Sequence, residues 1–140
     1  MKVTRIPAPK LIPGRVYEYT VGRRTEATPV KYMLAVRYNQ RTSILGVDIE
    51  TGKLLNHVWV DVDECVLIEN HEFKIATSST RASTISDMTD GDVFNLSTRY
   101  YLKTEYGVIE LVTGALVNTT SDIPPTTCFD IHDAELIIRD

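Results

Sequence analysis

The sequence has only two cysteines, Cys65 and Cys128, a single tryptophan, Trp59, and three histidines among its 140 residues. Two cysteines are too few for a disulfide scaffold, and without a C-x-x-C pair they do not form a zinc site, so a reducing cytoplasm is the expected compartment. No apolar run approaches the roughly 18 residues of a membrane span, and the opening MKVTRIPAPK lacks the apolar stretch of a signal peptide. A membrane is therefore not among the expected partners. The chain also lacks a nucleophile elbow, a G-x-G-x-x-G string and a P-loop, and its seven glycines are scattered at turn-like positions.

The remaining candidates for chemistry are few. His57, His71 and His132 are the titratable bases, and Cys65 opens an apolar strand, where a thiol packs rather than attacks. Asp61, Asp63 and Glu64 are acidic but lack the glycine and terminal glutamate of a calcium loop. The sequence thus predicts a non-catalytic protein with no metal site and no cofactor.

Self-similarity organises the chain. Gly14-Arg15-Val16-Tyr17 matches Gly91-Asp92-Val93-Phe94, and the Y-x-L-x-x-x-Y of Tyr32, Leu34 and Tyr38 recurs at Tyr100, Leu102 and Tyr106. TGKLLN from Thr51 then matches TGALVN from Thr113, and VDVDECVLI from Val60 aligns with FDIHDAELI from Phe129. Four matches in one order predict an internal duplication. Within each copy, apolar and β-branched residues alternate with period two between turn residues, the signal of strands. Tyr32, Leu34, Val36 and Tyr38 fall on one face, expected inward; Lys31, Met33, Ala35 and Arg37 fall on the other, expected outward. Thr51-Gly52 and Thr113-Gly114 suit tight hairpins. Largely buried positions are expected at Tyr32, Leu34, Val36, Leu102 and Ile137.

In each copy the order is a first strand, a longer connection, hairpin-linked strands, a short polar turn and a last strand. With PGRVYEYT, the loop VGRRTEATPV, the TGKLLN hairpin and DVDE before CVLIE, this resembles the SH3-like small barrels, including the Tudor and KOW families. What the resemblance implies is an all-β chain of two tandem SH3-like barrels, residues 1–72 and 88–140, joined by a Ser/Thr-rich exposed connection at 73–87. In being duplicated, compact and without an enzyme motif, the chain is also similar to small bacteriophage-encoded regulators of the host. Barrels this small are marginal alone, so the copies are expected to share an interface or to form a homodimer.

Charge separates the halves. Residues 1–56 carry 10 Lys/Arg against 4 Asp/Glu, net +6, and residues 57–140 carry 5 against 15, net −10. A basic first copy predicts nucleic-acid binding through Arg23, Arg24, Lys31, Arg37 and Arg41, with phosphates as the contacted groups. The alternative is an inhibitor or adaptor that binds a cytoplasmic protein through Asp130 and Asp133 of the acidic copy. A third possibility needs no ligand, since the two halves would simply attract each other.

Overall fold

Strands account for nearly all regular structure in the computed structural model, which describes Met1 and residues 11–19, 31–37, 44–55, 65–105, 107–117 and 124–139. Five of them form one antiparallel sheet: β1 (Val16–Tyr19), β2 (Lys31–Arg37), β3 (Ile44–Asp48), β4 (Leu54–Leu55) and β5 (Val66–Ile68). The rest form a second: β6 (His71–Thr84), β7 (Val93–Leu96), β8 (Arg99–Thr104), β9 (Gly107–Glu110), β10 (Leu116–Val117) and β11 (Cys128–Ile138). A single 3-10 turn, Ile85–Asp87, is the helical element among the described residues. The protein is all-β in two antiparallel sheets, and among the described residues no helix is long and apolar enough to cross a membrane.

The strand order is β4-β3-β2-β1-β5 in the first sheet and β10-β9-β8-β7-β11-β6 in the second, so the second repeats the first and adds β6 at its edge. Register agrees as well as order. Val16 lies opposite Leu34, which lies opposite Val47 and then Leu54; Val93 lies opposite Leu102, then Ile109 and Leu116. Tyr32 and Tyr100 occupy corresponding places, each giving its carbonyl to the residue just after the next strand, Ile49 at 3.2 Å and Leu111 at 3.1 Å. Gly52 and Gly114 both sit in the following turn at φ near +70°.

The last matched block does not keep its register. Val16 faces Ile68 whereas Val93 faces His132, so Cys65 to Ile68 correspond to Phe129 to His132 and not to residues 134–137. Beyond His132 the eleven-residue β11 continues alongside β6 alone. Of the connection expected at 73–87, residues 73–84 belong to the fourteen-residue β6 and the rest form the 3-10 turn; the stretch 76–84 is largely exposed. It contains neither Gly nor Pro, and its Thr-rich sequence suits an extended strand once β11 offers a partner of similar length. Two register shifts between β6 and β11, between Ile131 and Ala134, bend this ribbon.

Three apolar clusters hold the molecule together. The central one takes Val16, Leu34, Val36 and Val47 from the first sheet and Val93, Leu102, Ile109 and Leu111 from the second, with Phe73, Ile75 and Leu136 of the ribbon against it. The two sheets therefore share one core, as domains this small require. On the far side of the first sheet lies a cluster of Tyr17, Tyr19, Met33 and Ala35; on the far side of the second lies one of Met88, Phe94, Val108, Phe129 and Ile131. Covering both faces corrects the expected alternation along β2: Met33 and Ala35, placed outward by the sequence, are as fully buried as Leu34, and only the end residues Lys31 and Arg37 are exposed. Leu34, Val36 and Leu102 are buried as expected, while Tyr32 and Ile137 are half-buried.

Candidate binding cleft

The sheets meet through two reciprocal turn contacts. Gly14 packs on the Val112 and Thr113 backbone, and Gly91 packs on the Glu50 and Thr51 backbone. Arg37 donates its N–H to Gly114 O at 2.9 Å, and Glu105, at the corresponding place, donates to Gly52 O at 3.4 Å. A Cβ on Gly52 would lie 2.6 Å from both Gly91 N and Lys103 O, and one on Gly91 would lie 2.6 Å from Glu50 O, so these backbones approach only because no side chain intervenes. Each half thus presents its Thr-Gly turn to the glycine that opens the first strand of the other.

Two buried carboxylates stiffen these turns. Asp48 Oδ1 accepts the N–H groups of Glu50 at 2.9 Å and Thr51 at 3.1 Å, and its Oδ2 accepts the Tyr19 hydroxyl at 2.7 Å. Burial first, and then the Asp48 carboxylate, push the Tyr19 phenol far above its ordinary value, which keeps it a donor. In the other sheet Glu110 Oε2 accepts the Thr113 hydroxyl. Both acids, each 5% exposed, have a structural task in holding a turn.

Two of the clefts between the sheets, among the described residues, lie against different strands of the β6–β11 ribbon. The first, about 500 Å³, is bounded by Gly14 and Arg15, by His71, Phe73 and Ile75 of β6, and by Arg99, Tyr100 and Leu111 of the second sheet. The second, about 660 Å³, is bounded by the corresponding Gly91, Tyr32, Ile49 and Glu50, with Glu135, Leu136 and Ile138 of β11 as its ribbon wall. Their chemistry differs. Arg15 donates only to the Glu69 carbonyl, at 3.1 Å, and Arg99 stands 4.0 Å from Glu110 Oε2, beyond hydrogen-bond reach. Two guanidinium groups line the first cleft together with two carboxylates that already have partners: Glu72, paired with Arg139 at 2.6 Å, and Glu110, which holds the Thr113 hydroxyl and lies at ion-pair distance from Arg99. The second cleft carries Glu50 and Glu135 and no cation among its lining residues.

Corresponding positions around the two turns make the contrast explicit. Arg15 and Arg37 flank the Gly114 turn, whereas Asp92 and Glu105 flank the Gly52 turn. Both acids are engaged: Asp92 pairs with Arg81 and accepts the Thr89 N–H at 2.9 Å, and Glu105 accepts the Leu54 N–H at 3.0 Å. The corresponding backbone contact is made with either charge, at 2.9 Å beside Arg37 and 3.4 Å beside Glu105, so it does not demand the arginines.

His71 forms part of the first cleft's wall. Its ring meets Phe73 edge to face at a centroid distance of 5.4 Å, and its Nδ1 is buried with no hydrogen-bond partner among the described residues. Burial, and then the charge of Arg15, lower its proton affinity below the ordinary value. His132, on the other side of the ribbon, engages the Ala76 carbonyl through Nδ1 at 2.9 Å and meets Tyr100 edge to face.

Of the residues expected to bind nucleic acid, Lys31 and Arg37 are exposed but stand at opposite ends of β2, about 20 Å apart at the usual strand rise. Arg23, Arg24 and Arg41 lie outside the described residues, as do His57, Trp59 and the acidic Asp61, Asp63 and Glu64. Asp130 and Asp133 are exposed on β11. Arg15, Arg99, Phe73 and Tyr100 were not singled out as ligand-facing from sequence, although the opposite charges at Arg15/Asp92 and Arg37/Glu105 are visible within the matched blocks. Among the described residues no group of three or more His, Cys, Asp or Glu converges as a metal site would require. The chain matches no family model, no curated protein and no solved structure.

Proposed function

We propose that the protein is a non-catalytic, cytoplasmic nucleic-acid-associated protein made of two SH3-like β-units from an internal duplication. Equal strand order and equal register in the two sheets support the duplication. The observation that carries the functional reading is the first cleft. Arg15 and Arg99 line it beside Glu72 and Glu110, two carboxylates already engaged by Arg139 and by the Thr113 hydroxyl, and Arg37 stands exposed beyond the same Gly114 turn. Guanidinium groups in that arrangement suit successive phosphates, which they can grip through paired N–H donors. The acidic second cleft disfavours indiscriminate polyanion binding and leaves one face for the ligand.

Titration of labelled single-stranded DNA, RNA and duplex DNA at several salt concentrations tests this. Affinity is expected to fall steeply as salt rises, because each neutralised phosphate releases condensed counterions. Absence of binding to all three at low salt would overturn it.

A protein-directed role has one observation of its own: β6 ends its sheet, so among the described residues the outer edge of a fourteen-residue strand has no partner strand, and Asp130 and Asp133 are exposed on the neighbouring β11. On that reading, Asp130→Lys and Asp133→Lys impair capture of a protein partner.

A further inference from the structure

We infer that the first cleft admits an unstacked base, so that the preferred ligand is a single strand and not a duplex. This rests on the nucleic-acid reading above and specifies how that site works. The cleft's rim carries Arg15 and Arg99 beside Glu72 and Glu110, both carboxylates already engaged by other groups, and its floor is apolar and aromatic, with Phe73 and Tyr100 half-buried and Leu111 buried. A phosphate alone needs only the rim. The floor gains nothing from it, because Phe73 and Tyr100 offer aromatic surface, to which an anion is not attracted and against which a planar base stacks. A volume of about 500 Å³ lies within the range of pockets that enclose small planar ligands.

Duplex DNA presents its bases already stacked and paired, so filling the floor would first require extruding one. A single strand offers a base attached to a phosphate within reach of the rim, and it needs no unpairing. The second cleft supplies the internal contrast. Tyr32 and Ile49 give it a comparable floor, but Glu50 and Glu135 line it with no cation among its described lining residues, so a phosphate is disfavoured there.

The test measures binding of four labelled probes by anisotropy at low salt: a single-stranded DNA, an RNA of the same sequence, the matching duplex DNA, and a DNA strand of the same length made of abasic sites. The base-bearing strands are expected to bind more tightly than the duplex and, if one base occupies the floor, roughly 5- to 150-fold more tightly than the abasic strand. Phe73→Ala should reduce binding of the base-bearing strands and leave the abasic strand unaffected, with a thermal melt reporting that the variant is folded. Because the abasic probe requires no substitution, the result stands even if that variant unfolds. Equal affinity for abasic and base-bearing strands, or duplex binding as tight as single-strand binding, would overturn the inference while leaving the phosphate reading intact. Failure of every probe to bind would overturn both.

Discussion

The two clefts are built on one plan and differ in what they present. Both lie beside a tyrosine whose carbonyl is bonded across to the next strand, both have an opening glycine of one half seated on a turn of the other, and both are walled by one strand of the ribbon. Backbone and floor are alike, yet the first cleft has Arg15 and Arg99 beside Glu72 and Glu110, whereas the second has Glu50 and Glu135 and no cation among its described lining residues. A feature required by the fold should recur at both places, as the glycines, the apolar floor and the turn-holding carboxylates Asp48 and Glu110 do. A feature present at one place only is free of that requirement, and the arginines of the first cleft belong to this class. The comparison separates what the fold requires from what it leaves free to vary, without reference to any other protein.

The largest effect should appear where the sheets are alike. Leu34→Ala and Leu102→Ala remove corresponding buried side chains from the shared core, and each is expected to cost about 2–5 kcal/mol in denaturant melts. A loss at one position and not at the other would mean that the sheets do not contribute equally to a common core. Next come the turns. Gly52→Ala and Gly114→Ala place a Cβ at positive φ and against the backbone of the other half, for an expected cost of about 1–3 kcal/mol each.

Substitution of the rims should barely affect stability. Arg15→Ala, Arg99→Ala, Glu50→Gln and Glu135→Gln alter half-buried or exposed charges and are each expected to change unfolding free energy by less than about 0.5 kcal/mol. Large losses from the arginine variants would return those residues to the structural class and break the comparison. The smallest effect is one of pH. His71 binds its proton less readily folded than unfolded, so its contribution to stability is complete above the unfolded value of about 6.5 and is lost as pH falls below that toward the folded value. Melts between about pH 7.5 and 5.5 should show this decline, and His71→Gln should remove it. Arg15→Ala should raise the His71 titration midpoint in an NMR titration, since a neighbouring positive charge is gone.

Much of this plan could be read directly from sequence. The G-x-V, Y-x-L and Thr-Gly matches located three strands and the intervening turn of each half because those residues obey local rules: alternation, and glycine where φ is positive. The last strand was misaligned by five residues. Apolar alternation runs on from Phe129 to Ile137, and nothing local distinguishes the stretch that pairs with β7 from the stretch that pairs with β6 alone. Of the connection expected at 73–87, residues 73–84 belong to β6: Ser and Thr suit both solvent and strand, and only the length of β11 decides between them. The cleft is less legible still. Arg15, Phe73 and Arg99 are far apart in sequence, and they converge through the seating of Gly14 on the turn before Gly114, a contact between halves that no periodicity within one half encodes.

The central claim, that the arginine-rimmed cleft holds phosphate and its glutamate-rimmed counterpart does not, is tested most directly by the salt dependence of single-strand binding in two double variants. Loss of Arg15 and Arg99 together should flatten the slope of log affinity against log salt by up to about 1.4, given about 0.7 per phosphate contact to a single strand. Neutralising Glu50 and Glu135 together should leave that slope where it was. An unchanged slope in the arginine variant, or an equal change in both, would contradict the assignment of the phosphate site to the first cleft.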